Sequence, residues 1–188
     1  MFSFERPWAL RNLQHCNSHF VTFRSLKRLF IGMEFDSFYK EYRSKVFAYL
    51  LRMTGCKDLS MDLVQESFTR CLERYAETER PGPLVFTIAR NLVYDNHRNQ
   101  ARWDDREAPE LEANANPETD FLKKEEIERV LQAMQSLPAN EKEALALAAS
   151  KALTYREIAQ VTGVSEANVK VRVHRARKSL RRILEDVT

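Results

Sequence analysis

Four glycines and six prolines in 188 residues are the tightest constraint on what this chain can fold into. Average glycine usage is about 7%, and sheet proteins spend glycine, proline and asparagine at every reversal of the chain. A chain this poor in turn residues is predicted to be all-α. Its 44% hydrophobic content is enough to build packed cores, against 30% charged residues, which places it among globular rather than disordered chains. No window reaches the roughly 18 consecutive apolar residues of a membrane span, so no membrane insertion is expected. The three cysteines, Cys16, Cys56 and Cys71, are an odd number without CxxC spacing. Neither a disulfide framework nor a zinc ribbon is suggested, and a reducing, cytoplasmic setting fits best.

The net charge of +3 conceals a strong asymmetry. Residues 1–32 carry five bases against one acid, leaving the remainder at −1. Residues 103–126 carry nine acids against three bases. Residues 163–184 reverse this: Lys170, Arg172, Arg175, Arg177, Lys178, Arg181 and Arg182 oppose Glu166 alone. A concentrated cationic element on a near-neutral body is the electrostatic footprint of a phosphate-rich partner.

Apolar spacing divides the chain. Residues 1–32 hold aromatics without a sustained period, and the pattern restarts at Met33, which is therefore read as a candidate start behind an upstream extension. Phe35, Phe38, Tyr42, Val46, Tyr49 and Met53 then recur at helical steps of three and four. A second helix is predicted after Ser60 as N-cap, with Met61, Val64, Phe68, Cys71, Leu72 and Tyr75 on its apolar face. Pro81 and Pro83 break it. A third helix follows with Leu84, Val85, Ile88, Leu92 and Val93 inward, completing a small bundle over 33–102. Apolar content collapses over 103–119, an acidic linker. A second helical domain occupies 120–188, with helices over 120–136, Glu141 to Ala149, a short one to Val161, and a last basic one.

The C-terminal segment has the more specific signals. Thr154-Tyr-Arg-Glu157 is a capping box, Gly163 supplies a positive-φ turn, and Ser165 caps the next helix. Small Ala159 allows two helices to approach closely while Ile158, Val164, Val169 and Val173 fill their shared core, and Ala159, Gly163 and Val169 have helix-turn-helix spacing. Val169, Val173, Ala176, Leu180 and Ile183 form one stripe of the last helix. On the helical wheel Val171, His174, Arg175 and Lys178 lie opposite, with Lys170 on a flank. Such a face can enter a major groove; a merely solvated cationic face is the simpler alternative, weakened by the turn geometry beneath it.

The bundle has its own surface features. On the second helix Leu63 sits among Asp62, Glu66 and Arg70, either as a protein-docking patch or as the edge of the core. On the third, residues 86–98 mix aromatic, amide and basic side chains able to hold an unstacked base, although Phe86 and Tyr94 serve equally well as core.

Taken together and in order, Asp62-Leu-Val-Gln-Glu-Ser-Phe68, Phe86-Thr-Ile-Ala-Arg-Asn91 with Asp95 and Arg98, Leu137-Pro138, Leu153-Thr-Tyr-Arg-Glu-Ile-Ala159 and Val169-Lys-Val-Arg-Val-His-Arg-Ala-Arg177 resemble the extracytoplasmic-function (ECF) sigma factors of bacterial RNA polymerase over about residues 34–186. The resemblance implies two helical domains, sigma regions 2 and 4, joined by the acidic linker, with no catalysis and no cofactor. It implies that Asp62, Leu63, Gln65 and Glu66 dock on core RNA polymerase. The loop 78–83 with Arg90, Asn91, Tyr94 and Arg98 would capture a flipped base of the promoter −10 element. Asn168, Lys170, Val171, His174 and Arg175 would read the −35 element. Promoter DNA and core polymerase are the implied partners, a stress or envelope-response regulon the implied target, and an anti-sigma factor a further partner whose existence the motifs leave open. Two departures from the family pattern stand out: Leu84 where an aromatic is usual, and Ser165-Glu-Ala-Asn168 where Pro-x-Gly-Thr is common.

Two other readings compete. A stand-alone helix-turn-helix regulator would use the bundle as a dimer or sensor module. A metal or redox sensor would use His15, Cys16 and His19, three potential ligands crowded into five residues, a weak spacing; no metal site is expected. An enzyme is the poorest fit, since there is neither a glycine-rich phosphate loop nor a nucleophile elbow.

Overall fold

The computed structural model describes the backbone of residues 19–75, 82–103 and 120–185 and the side chains of 35–73, 82–99 and 125–185. The extension 1–18, the His15, Cys16 and His19 side chains, most of the loop at 78–83 and the acidic linker lie outside the described residues. The described residues form seven α-helices and no strand: α1(His19–Thr54), α2(Lys57–Tyr75), α3(Gly82–Trp103), α4(Asp120–Gln135), α5(Ala139–Ala149), α6(Tyr155–Thr162) and α7(Glu166–Glu185). Residues 38–188 make one compact unit, distinct from residues 1–37.

Helix α1 begins at His19 and runs through Met33 without a break. No proline interrupts residues 8–80, so nothing in the backbone forces a break there. Helix α1 ends instead at Gly55, whose φ of 71° is left-handed and whose N–H bonds the Leu51 carbonyl at 2.9 Å, a glycine stop.

That stop moves the start of α2 to Lys57, three residues before the predicted cap. Ser60 lies inside the helix and is fully buried. Its hydroxyl donates to the Cys56 carbonyl at 2.6 Å and sits 2.8 Å from Thr54 Oγ1. The inward face of α2 is accordingly rotated from the one expected. Leu63, Val64, Phe68 and Cys71 are buried with Ser60 and Ser67, whereas Met61 and Leu72 remain 49% and 38% exposed. Ser67 is also satisfied locally, donating to the Leu63 carbonyl at 2.6 Å. Back-bonded serines carry no unsatisfied polar group inward, so they take core positions that a polar/apolar reading assigns to solvent.

Helix α3 packs its Val85, Phe86, Ala89, Leu92 and Val93 inward, with Phe86 edge-on to Tyr49 of α1 at 5.7 Å. This settles Phe86 as core. Leu84 and Ile88 are only half-buried. Gly82 at the start of α3 is needed for close approach: a Cβ there would fall 2.5 Å from Tyr42 Cε1.

The C-terminal helices follow the sequence closely. Pro138 precedes α5. The Thr154–Glu157 capping box opens α6, and Gly163 closes it with φ 72°. Ser165 Oγ accepts from Asn168 N–H at 3.2 Å to start α7. Ile158, Val161, Val169, Val173 and Ala176 form the buried centre; Ala159, Val164, Leu180 and Ile183 contribute from half-buried positions.

Candidate nucleic-acid interface

Helix α7 carries the strongest candidate. Its buried stripe packs on α5 and α6, and because successive residues turn by 100° this fixes which side faces out. Asn168, Lys170, Val171, His174 and Arg175 are all exposed, so the five −35 candidates share one accessible side. Two are engaged along their own helix. Asn168 Oδ1 accepts from Arg172 Nε at 2.9 Å, and Lys170 Nζ pairs with Glu166 at 2.7 Å. These exposed pairs are weak and leave the cations able to exchange partners. Val171, 48% exposed, is an apolar side chain in the middle of this charged face.

The four −10 candidates on α3 are not equivalent. Asn91 and Arg98 are exposed, and Arg98 pairs with Asp95 one turn away. Arg90 is instead held by Glu143 of α5, Nε to Oε1 at 2.7 Å, with the two side chains 26% and 2% exposed. Its guanidinium also lies 4.8 Å from the centre of the Tyr94 ring, a cation–π contact. Burial works against the Arg90 charge, but the hydrogen bond and charge of Glu143 outweigh it and raise its pKa. Burial, reinforced by the same carboxylate, raises Tyr94 as well. Glu143 is the residue that sequence reasoning missed. The available signal was its place at the head of the run Glu143-Ala-Leu-Ala-Leu147, five consecutive residues that α5 buries on all sides.

Among the polymerase-docking candidates on α2, Asp62 and Gln65 are exposed and Glu66 is tied to Arg70 at 2.6 Å. Leu63 is 8% exposed and turned towards the bundle, which leaves only its edge for a partner. That edge lines an open cleft of about 550 Å³ between α2 and α3, together with Arg70, Leu92, Asp95, Asn96, Arg98 and Asn99. One docking candidate and one −10 candidate therefore meet in the same cleft. Among the described residues there is no cluster of three or more metal-ligating side chains, and no helix is long and apolar enough to cross a membrane.

Residues 38–102 match the sigma-70 region 2 model and residues 127–180 the sigma-70 region 4 model. The ECF RNA polymerase sigma factor SigM of Bacillus subtilis is 35% identical over 156 residues, covering 79% of this chain and 94% of the relative. The ECF RNA polymerase sigma factor EcfG of Rhodopseudomonas palustris is 31% identical over 145 residues, covering 73% of this chain and 77% of the relative. In fold, the chain is similar to the sigma factor RpoE of Bartonella quintana, solved in complex with the anti-sigma factor NepR, with a TM-score of 0.65 at 22% identity over 81% of this chain and 97% of that one. CnrH, solved with the cytosolic domain of CnrY, gives 0.62 at 19% over 82% and 89%. With both sigma regions in order and a 35%-identical relative matched along nearly its whole length, the chain belongs to the ECF sigma factors of RNA polymerase, a family of non-enzymatic transcription initiation factors.

Proposed function

We propose that this sigma factor divides its work between residues 33–102 and 120–188, joined by the acidic segment 103–119. Asp62, the edge of Leu63, Gln65 and Glu66 hold core polymerase. Arg90, Asn91, Tyr94 and Arg98 engage the −10 element, and Asn168, Lys170, Val171, His174 and Arg175 the −35 element. The chain acts without catalysing a reaction itself, in the cytoplasm where its template lies, and an anti-sigma factor is its natural form of restraint. The observation that carries the reading is the outward face of α7: five candidates on one exposed side, opposite a stripe buried by the helix-turn-helix. The N-terminal half of such a helix meets base edges while its cations meet phosphates.

Outside that basic element the chain carries a net charge of −3, so few phosphates are neutralised and the isolated protein binds duplex poorly at physiological salt. Attachment to polymerase supplies the missing affinity by raising effective concentration. In vitro transcription with core polymerase over a promoter library tests this. Initiation at a defined two-part promoter, dependent on the added chain, is expected. Tight sequence-specific binding by the isolated protein, with no effect on where polymerase starts, would instead favour a stand-alone regulator.

A further inference from the structure

Val171 is out of place for a solvated helix. It is 48% exposed at the centre of the outward face of α7, between His174 and Arg175 on the helical wheel and one turn from exposed Ala167. A β-branched residue is a poorer helix former than the lysine, arginine or glutamate that an exposed position favours, so local stability does not account for it. Its surroundings narrow what could cover it. Lys170, Arg175 and Lys178 are exposed around it, which disfavours an apolar protein surface and favours an anionic partner that offers a small apolar knob within reach of its phosphates. In the major groove the thymine C5-methyl is the apolar group on a base edge, and it sits beside the O4 acceptor.

The neighbouring polar groups fit that edge. Asn168 Oδ1 accepts from Arg172 Nε at 2.9 Å, which leaves its two amide N–H donors available to a base edge, and the apolar Val171 one turn-step away favours an edge that carries a methyl over that of adenine. Arg175 is a donor throughout. Methyl contact plus donated hydrogen bonds is the complement of thymine and not of cytosine, whose edge offers an N4 donor and no methyl.

We propose that Val171 is a specificity-determining residue that reads the methyl group of a thymine in the −35 element, with Asn168 or Arg175 donating to the adjacent O4. This rests on the assignment of α7 to the −35 element and adds the base that it selects.

The test uses holoenzyme assembled from the full chain and core polymerase, on a promoter selected from a library randomised upstream. Each thymine of the −35 element is replaced in turn by deoxyuridine, which removes the methyl and nothing else. At one position wild type is expected to lose about fourfold in promoter affinity, the value of one buried methyl-sized group. V171A should show a similar loss on the thymine template and no further response to uracil there, with circular dichroism matching wild type and Tm no lower. Indifference of wild type to every thymine-to-uracil change, while scrambling of the element still abolishes initiation, overturns the thymine assignment and leaves the −35 reading intact. An equal response of V171A and wild type at the sensitive thymine overturns the role of Val171 in the same way. Indifference to scrambling itself, with R175A also without effect, overturns both.

Discussion

The Arg90–Glu143 pair joins two residues 53 apart in sequence, one on α3 and one on α5, and replacing Glu143 measures what that junction is worth. Glu143 is 2% exposed while Arg90 keeps 26%. Removing one partner of a fully buried pair costs about 3–5 kcal/mol, but a guanidinium that reaches water can rehydrate. The expected cost of Glu143→Leu, which leaves Arg90 only the Tyr94 side chain and water as partners, is therefore at the low end, about 3 kcal/mol. Glu143→Gln keeps the shape and one acceptor oxygen and loses only the charge assistance, so about 1–1.5 kcal/mol is expected, the difference between charged and neutral hydrogen bonds. Urea unfolding followed by far-UV circular dichroism reads both as a lowered midpoint at constant m. A double-mutant cycle with Arg90→Gln isolates the pairwise part, with a coupling of at least about 1 kcal/mol expected. Zero coupling, or Glu143→Leu as stable as wild type, would show that the pair contributes nothing and refute the reasoning.

Other outcomes follow from single features. Tyr49 Oη is fully buried without a hydrogen-bond partner, so Tyr49→Phe should be neutral to stabilising, by up to about 1 kcal/mol in urea unfolding. Burial, followed by the charge of Glu143, holds the Tyr49 phenol well above its ordinary value. A raised folded pKa gives stability that is complete below the unfolded value of about 10 and lost above it, so alkaline melts of wild type should fall more steeply than those of the Phe variant. Thr154→Ala removes the acceptor for Glu157 N–H and should cost about 1 kcal/mol at neutral pH. Hydrogen bonds from the Thr154 backbone N–H and then its hydroxyl depress Glu157 below the usual carboxylate range. Its contribution is present above about pH 4.3 and disappears as pH falls through the lowered value; the variant keeps the backbone N–H and loses only the hydroxyl's share, so the gap between wild type and variant should narrow in acid melts without closing. Gly82→Ala forces a Cβ into the Tyr42 ring and should lower stability by about 1–3 kcal/mol. Lys170→Ala should flatten the salt dependence of promoter binding by holoenzyme by about one unit of slope; an unchanged slope would place that cation away from phosphate.

How far the sequence reaches can be followed residue by residue. Helical class, the capping box at Thr154, the turn at Gly163 and the outward position of Val171 were all readable, because each is a local rule of backbone geometry or of 100° periodicity. The family was readable too, since its motifs are short contiguous strings in a fixed order. The orientation of α2 was not. Ser60 and Ser67 look polar, and only once their hydroxyls are seen to bond their own helix carbonyls does the buried face swing towards Leu63 and leave Met61 and Leu72 outside. The fate of Arg90 was equally hidden, because its partner lies on another helix and no spacing rule connects residues so far apart. Local structure follows from interactions within one or two turns, which the order of amino acids encodes directly. Which carboxylate meets which guanidinium, and which tyrosine hydroxyl goes unpaired, is decided by packing between helices, and that exists only when the chain is folded.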